Sequence, residues 1–261
     1  MNRFEESLHW LLRSYAIDPT LSHTLINLAS HYQDEGQTQL AYHYFNQVLG
    51  ELDSPSLLEL RMNLLFTPVA KSWLEMNEER NQIYNNLSYY IDSSASIVKV
   101  PLDATLDRVP FYISYAGLND RTLVEQVVAA YHKSISNLVY VNPGASAQVT
   151  SPHALKSKQS SQRIRVGFIS KFFGIFEPHG LLLDGVMRYL PRSHFKVFCF
   201  PVARNDGKPL APSVRDAADI VIELPLSQRM VQEEIASQDL DVLVFADVMS
   251  EPLNHFLAHS R

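Results

Sequence analysis

The segment from Arg163 to Leu190 constrains the fold of this chain most strongly, because a buried-strand pattern, a loop and an amphipathic helix follow one another there. Ile164 to Ser170 is a β-branched and aromatic run, typical of a strand buried on both faces of a parallel sheet. The loop Lys171 to Gly180 follows, and apolar periodicity from Leu181 to Leu190 predicts a helix. The segment therefore predicts the first strand, loop and helix of an α/β domain.

The loop is the predicted functional element of this unit. In open α/β sheets, ligands bind outside the carboxyl ends of the strands, where a helix N-terminus also offers unpaired N–H groups. We therefore expect substrate contacts from Ser170, Lys171, Gly174 and Gly180. The spacing leaves a plain glycine turn open as the alternative, because neither a GxGxxG nor a GxxxxGK[ST] motif is present.

Composition excludes several classes of protein. The chain has 261 residues, of which 46% are hydrophobic, and this favours a soluble globular protein of two domains. No apolar run approaches the roughly 20 residues of a membrane helix. The net charge is −6 and the loose basic group from Lys156 to Arg165 is short, so no nucleic-acid partner is predicted. A single cysteine, Cys199, favours a reducing, cytoplasmic setting.

The first 55 residues predict helices of the tetratricopeptide kind, because residues 1 to 20 align with residues 35 to 54 at the period of about 34 residues. The fuller copy runs from Ser22 to Pro55 and predicts two packed helices. Their expected facing residues are Leu25, Leu28, Ala29, Tyr32, Ala41, Phe45 and Val48. Such repeats either form a protein-binding groove or cap the domain behind them, and the shortness of the array favours the cap.

The rest of the chain divides into three predicted parts. Residues 56–141 form a helical connecting region, in which Pro68 separates two helices and Phe111, Tyr112 and Tyr115 are predicted to lie in the core. Residues 142–162 are rich in Pro, Gly, Ser and Lys and predict a linker. Residues 163–261 predict a Rossmann-like domain. Its further expected strands are Phe195 to Phe200, Ile220 to Leu224 and Val242 to Asp247.

Several segments together resemble one enzyme family. They are the N-terminal repeats, LRMNLLFTPVAKS, PFYISYAGLNDRTLVEQ, RIRVGFISKFF, KVFCFP and LDVLVFADVMSEPLNHFLAHSR. In this order they resemble the O-linked N-acetylglucosamine transferases, and most of all the bacterial SPINDLY-like members of glycosyltransferase family 41. The resemblance implies tetratricopeptide helices followed by the N-terminal Rossmann-like lobe of a two-lobed fold. It also implies transfer of a sugar from a UDP-sugar to Ser or Thr of a protein, without a further cofactor.

The resemblance also assigns residues. His179 is the candidate for the catalytic histidine of the family, shifted by three residues from Phe176, where relatives commonly carry it. A capping or solvent-exposed His179 is the alternative. Asp247 retains the aspartate of a family motif in which Ser250 replaces a glycine, and is a candidate substrate-binding residue. The alternative for Asp247 is an N-cap of the helix that starts near Pro252.

A metal site is not expected. His255 and His259 lie four residues apart on the last predicted helix, but no third ligand is evident and the family uses no metal ion. A structural or surface role is favoured for both histidines.

The resemblance sets the expected function of the chain. The family continues into a second lobe that holds most UDP-sugar contacts, so residues 1–261 are expected to be a fragment or a natural truncation that is inactive alone. The protein acceptor would dock through the helical repeats, and the UDP-sugar would bind only with the second lobe. Two alternatives remain: a non-enzymatic interaction module with a degenerate Rossmann-like lobe, and a nucleotide-binding domain of another kind.

Overall fold

The computed structural model describes residues 3–50, 56–93, 100–101, 109–136, 138–142, 163–175, 177–203 and 208–260. The chain forms two compact units, one of residues 1–106 with 110–136 and one of residues 107–109 with 137–261. The predicted linker at 142–162 lies, apart from Asn142, outside the described residues, so the predicted domain boundaries stay predictions. None of the described helices has the combination of length and apolar character that crossing a bilayer demands.

The first unit is helical. Its helices are α1 (Arg3–Ile17), α2 (Ser22–Asp34), α3 (Thr38–Leu49), α4 (Ser56–Asn63), α5 (Trp73–Asp92) and α6 (Arg121–Ser134). A 3₁₀ helix spans Phe111–Ala116, and two short parallel strands, β1 (Val100–Pro101) and β2 (Ile135–Ser136), pair with each other. The helical prediction for this half of the chain is confirmed.

The packing of α2 against α3 follows the predicted faces. Ala41, Phe45 and Val48 are fully buried on α3, and Leu25, Leu28 and Ala29 are buried on α2. Tyr32 is half-buried and stacks its ring on that of Tyr44, with 5.6 Å between centroids. The turn between the helices needs Gly36, whose φ is +72°. The tetratricopeptide assignment itself stays a prediction.

A lysine side chain of α6 contacts the C-terminal end of α5. The Lys133 ammonium donates to the carbonyl oxygens of Tyr90, Ile91 and Ser93 at 2.9, 2.7 and 2.7 Å. These are carbonyls at the C-terminal end of α5, where a cation is favoured by the helix dipole. At the other end of α5, the predicted break at Pro68 is confirmed, because Ser72 is the N-cap and accepts from the Glu75 N–H.

Tyr112 and Tyr115 lie on the surface and Phe111 is half-buried, so the prediction that all three aromatic residues lie in the core was wrong. Tyr112 and Tyr115 are 40% and 68% exposed, while Ile113 and Ala116 are buried instead. The segment is a 3₁₀ helix, in which residues three apart share a face, and this places Ile113 and Ala116 together on the inside. The three aromatic rings contact one another on the outside, with centroids 5.3 to 5.9 Å apart.

The second unit holds a four-stranded parallel sheet, as predicted. Its strands are β3 (Ile164–Ser170), β4 (Phe195–Pro201), β5 (Ile220–Val221) and β6 (Val242–Phe245), in the order β5-β4-β3-β6. The strand β5 is shorter than expected, since Leu224 forms only an isolated bridge with Val202. Its helices are α7 (Pro178–Tyr189), α8 (Pro212–Ala217), α9 (Gln228–Ser237) and α10 (Pro252–Leu257).

Helices cover both faces of this sheet, which explains why its central strands are continuously apolar. One core contains side chains of the strands together with α7 and α8, namely Val166, Phe168, Leu183, Met187, Val197, Cys199 and Val214. The core on the opposite face includes α9 and α10. It contains Ile169, Phe198, Phe200, Leu224, Val231 and Leu257.

The strand order creates a topological switch point. From β3 the chain moves outward through β4 to β5, and then returns to place β6 on the other side of β3. The helix that follows β3, α7, packs on one face of the sheet, and the helix that follows β6, α10, packs on the other, so the chain leaves these two neighbouring strands towards opposite faces. A crevice at such a point is where open α/β sheets bind ligands.

Alanine substitutions at the two glycines of α7 are expected to have opposite effects on the stability of the protein. A Cβ at Gly180 would lie 2.9 Å from the Phe172 carbonyl oxygen and 3.3 Å from the Phe173 Cα, whereas a Cβ at Gly185 would meet nothing within 4 Å. Gly180→Ala should destabilise the protein by about 1–3 kcal/mol, because backbone must move. Gly185→Ala, the matched control in the same helix, should stabilise it by roughly 0.5–1 kcal/mol. Urea unfolding checks both, and a Gly180→Ala variant as stable as the parent would contradict this packing.

Candidate functional site

The carboxylate of Asp247 lies at the switch point and ties two strands together. Asp247 follows β6 and is 3% exposed. Its Oδ2 accepts the Lys171 N–H at 3.0 Å and the Ser170 hydroxyl at 3.2 Å, at the end of β3. Its Oδ1 accepts the Asn254 side-chain amide at 2.5 Å, from α10. The structure thus brings together three of the predicted site residues, Ser170, Lys171 and Asp247.

The N-cap of α10 is Glu251, so the proposed capping role of Asp247 was wrong. The Glu251 Oε2 accepts the Asn254 N–H at 2.8 Å. Its other oxygen, Oε1, lies 3.3 Å from the Lys171 ammonium. The Glu251 side chain is 4% exposed and that of Lys171 is 35% exposed, so the pair reaches from the interior to the surface. Glu251 therefore caps a helix and orients Lys171 at once.

Burial shifts the pKa of two side chains in this region, Asp247 and His255. It raises the pKa of Asp247, and the nearby Glu251 charge raises it further, while the hydrogen bonds from Lys171, Asn254 and Ser170 oppose the change. Burial also lowers the pKa of His255, whose Nδ1 lies 3.0 Å from the Val248 carbonyl oxygen. A neutral imidazole is thus favoured at this position.

A metal centre finds no support in the described residues. The His255 and His259 rings lie 5.7 Å apart in an edge-on arrangement. Within the described ranges, no group of three or more His, Cys, Asp or Glu side chains is placed to hold a metal ion.

The loop after β3 is fixed by its own backbone contacts. The Ser170 hydroxyl accepts the Phe172 N–H at 2.9 Å while it donates to Asp247. Gly174 forms an antiparallel bridge with Leu210, and the Phe173 carbonyl accepts the Ala211 N–H at 2.9 Å. Gly180 packs on the backbone of Phe172 and Phe173. The predicted loop residues therefore hold its shape, and Lys171 supplies its charged side chain.

His179 contacts Phe172 rather than the residues around Asp247. It is the second residue of α7, is half-buried, and stacks its ring on that of Phe172 with 5.1 Å between centroids. Among the described residues, no hydrogen bond joins His179 to Asp247 or Glu251. Phe176, from which the family histidine is shifted, lies outside the described residues.

An open cleft of about 410 Å³ lies beside the loop, at the carboxyl ends of β3 and β4. Lys171 and Gly174 line it from the loop, and Pro201 lines it from the end of β4. The remaining charged side chains of its wall, among the described residues, are those of Lys208, Arg215 and Glu223. This described part of the wall is predominantly cationic, within a protein whose net charge is −6.

Sequence reasoning missed Glu251 and Asn254. The signal was present, because Glu251 precedes Pro252 and is followed three residues later by Asn254, and an acid before a proline marks a helix start. Lys208 and Arg215 gave no such signal, since isolated basic residues in loops and short helices are common on protein surfaces.

Comparison with known proteins shows a likeness in structure alone. The chain matches no protein-family model and no curated protein. Among solved structures it is similar to a mutant O-GlcNAc transferase from Thermobaculum terrenum, with a TM-score of 0.52 and 14% sequence identity. The chain has an O-GlcNAc transferase-like fold. The likeness covers 99% of this chain and 45% of that one, so this chain spans less than half of the O-GlcNAc transferase.

The environment of Asp247 predicts an unusual titration. Its pKa should lie above the ordinary value of 3.8, whereas hydrogen bonds from Thr20 should hold the pKa of the exposed Asp18 below that value. A raised folded-state pKa contributes stability that is complete below the unfolded pKa and is lost as the pH rises through the folded pKa. Carbon-13 NMR of the carboxyl groups checks both values, with Asp247→Asn to assign the signal. A midpoint for Asp247 at or below 3.8 would refute the effect of burial.

Proposed function

We propose that residues 1–261 form the acceptor-side part of a glycosyltransferase that moves a sugar from a UDP-sugar to Ser or Thr of a protein. The observation that carries the proposal is the O-GlcNAc transferase-like fold over 99% of the chain, together with a polar cluster at its switch point. Membership of glycosyltransferase family 41, in its SPINDLY-like branch, is part of the same proposal.

The proposed reaction needs a proton acceptor. The acceptor hydroxyl oxygen attacks the anomeric carbon, the bond from that carbon to the UDP oxygen breaks, and UDP leaves with the electron pair. The hydroxyl proton passes to a base, a role that a histidine side chain can fill near neutral pH. His179 is our candidate for this role, because it lies at the start of α7 beside the functional loop.

The remaining site residues would position the substrate. Gly174 and Gly180 fix the course of the loop, and Lys171 presents an ammonium group held by Glu251. Asp247 acts through the backbone of Lys171 rather than by direct contact, since it is buried behind that residue. Asp247 is therefore a positioning residue in this proposal.

The predicted helical repeats of residues 1–55 would dock the protein acceptor. Within them, α2 and α3 bury the predicted facing residues, and this burial supports the proposal that the two helices form a tetratricopeptide repeat, a kind of repeat that binds polypeptides.

We also propose a cytoplasmic location. Cys199 is buried, and burial raises the pKa of its thiol to about 12, so this cysteine is an inert core residue.

One observation favours a second candidate function. Asp247 is 3% exposed and its carboxylate accepts hydrogen bonds from three donors, as expected of a side chain whose role is purely structural. This favours a non-enzymatic interaction module in which the Rossmann-like lobe is a scaffold. The two candidates differ in whether any sugar transfer depends on this lobe.

The proposal predicts that residues 1–261 alone transfer no sugar. The likeness leaves more than half of the O-GlcNAc transferase without a counterpart in these residues, and the donor site is proposed to need a second lobe. Transfer of radiolabelled N-acetylglucosamine to a Ser-containing protein should appear only when a second sugar-nucleotide-binding lobe is supplied in cis or in trans.

Three variants separate the outcomes of this assay. His179→Ala and Asp247→Ala should each lower the recovered rate at least tenfold, while Arg121→Gln, on the exposed face of α6, should leave it unchanged. Turnover by the 261 residues alone would contradict the half-site proposal. Failure of every second lobe to restore turnover would favour the interaction module.

A further inference from the structure

The cleft beside the loop has an uneven charge distribution. Within the part of the chain that the structure describes, its charged lining consists of three cations, Lys171, Lys208 and Arg215, and one carboxylate, Glu223. The cations come from three places: the end of β3, the segment before Leu210, and α8. Spread along one cleft, they favour a ligand with several separated negative charges.

Two of these cations can take a further anionic partner. Arg215 lies 3.5 Å from Glu223, and both side chains are more than half exposed, at 56% and 70%. Solvent screens such an exposed pair, so an incoming anion can replace Glu223 at low cost. Lys208 lies 3.2 Å from Glu177, whose side chain is only 18% exposed, but the Lys208 side chain itself is 55% exposed. An ammonium group has three N–H donors, so an incoming carboxylate can bind Lys208 while Glu177 stays in place.

The form of the cleft favours a polypeptide over a phosphate group. A compact phosphate is normally held by consecutive backbone N–H groups of a glycine-rich loop, and the sequence has neither phosphate-binding motif. The rest of the described lining includes the apolar residues Phe173, Val202 and Leu210. Apolar walls with spaced cations suit an extended segment in which carboxylates alternate with other side chains.

We propose that this cleft binds an acidic stretch of the acceptor polypeptide, with carboxylates of Asp or Glu paired to Lys208 and Arg215 and close to Lys171. The inference rests on the proposed function only in taking that polypeptide to be the sugar acceptor. It assigns a substrate class to the enzyme: proteins whose modified Ser or Thr is flanked by acidic residues.

A binding experiment tests the proposal without any sugar transfer. The probe is a fluorescein-labelled peptide with Glu residues on both sides of a single Ser, and its neutral partner carries Gln in place of every Glu. Fluorescence anisotropy with the full 261-residue chain should show tighter binding of the acidic peptide and weaker binding at higher salt. Lys208→Gln and Arg215→Gln should each weaken it about threefold, and together roughly tenfold.

Arg121→Gln is the matched control. Arg121 is ion-paired with Glu125 and exposed, as Arg215 is with Glu223, but it lies in the helical unit. The control variant should bind the acidic peptide as tightly as the parent. Equal affinity for the two peptides, or no loss with the paired Lys208 and Arg215 variants, would overturn the proposal. Displacement of the peptide by inorganic pyrophosphate would also overturn it, since the cleft would then be a phosphate site.

The test separates this inference from the proposed function. If the acidic peptide binds as expected but no second lobe ever restores transfer, the docking site stands and the enzymatic proposal fails. If transfer is restored but proceeds at the same rate to acidic and neutral peptides, the acceptor preference fails alone.

Discussion

The hydrogen bonds of the Asp247 carboxylate are the constraint on which the second unit depends. They join β6 to the end of β3 across 77 residues of sequence and reach α10 through Asn254. A buried carboxylate is costly unless its oxygens are hydrogen-bonded, and here three donors meet it. Removing the carboxylate would leave those three donors without an acceptor, which also costs free energy. Both the carboxylate and its donors therefore depend on these hydrogen bonds.

The hydrogen bonds of Asp247 connect the fold to the proposed chemistry. They fix the backbone of Lys171 where β3 ends, and the loop that follows is pinned at Gly174 and Gly180. The ammonium of Lys171, oriented by Glu251, then stands at the edge of a cationic cleft. A site built on strand ends in this way is rigid, and rigidity is what substrate positioning requires.

The parts that the sequence predicts are those governed by local periodicity. The apolar run from Ile164 to Ser170 predicts a strand buried on both faces of a parallel sheet, and the spacing of Ala41 and Phe45 predicts a buried helix face; both are confirmed. Tyr115 was misplaced because a 3₁₀ helix has a different period from the α-helix that was assumed. The contact of Asp247 with Ser170 could not be predicted, since it depends on strand order, which residue patterns do not encode.

Amide hydrogen exchange measures the central interaction most directly. The Lys171 N–H is protected by Asp247 in this account, so Asp247→Asn should speed its exchange by about tenfold or more. The Phe172 N–H, held through Ser170, should follow, while the Val124 N–H of α6 should exchange as in the parent. Unchanged protection of Lys171 and Phe172 in the variant would contradict the claim that Asp247 holds the functional loop in place.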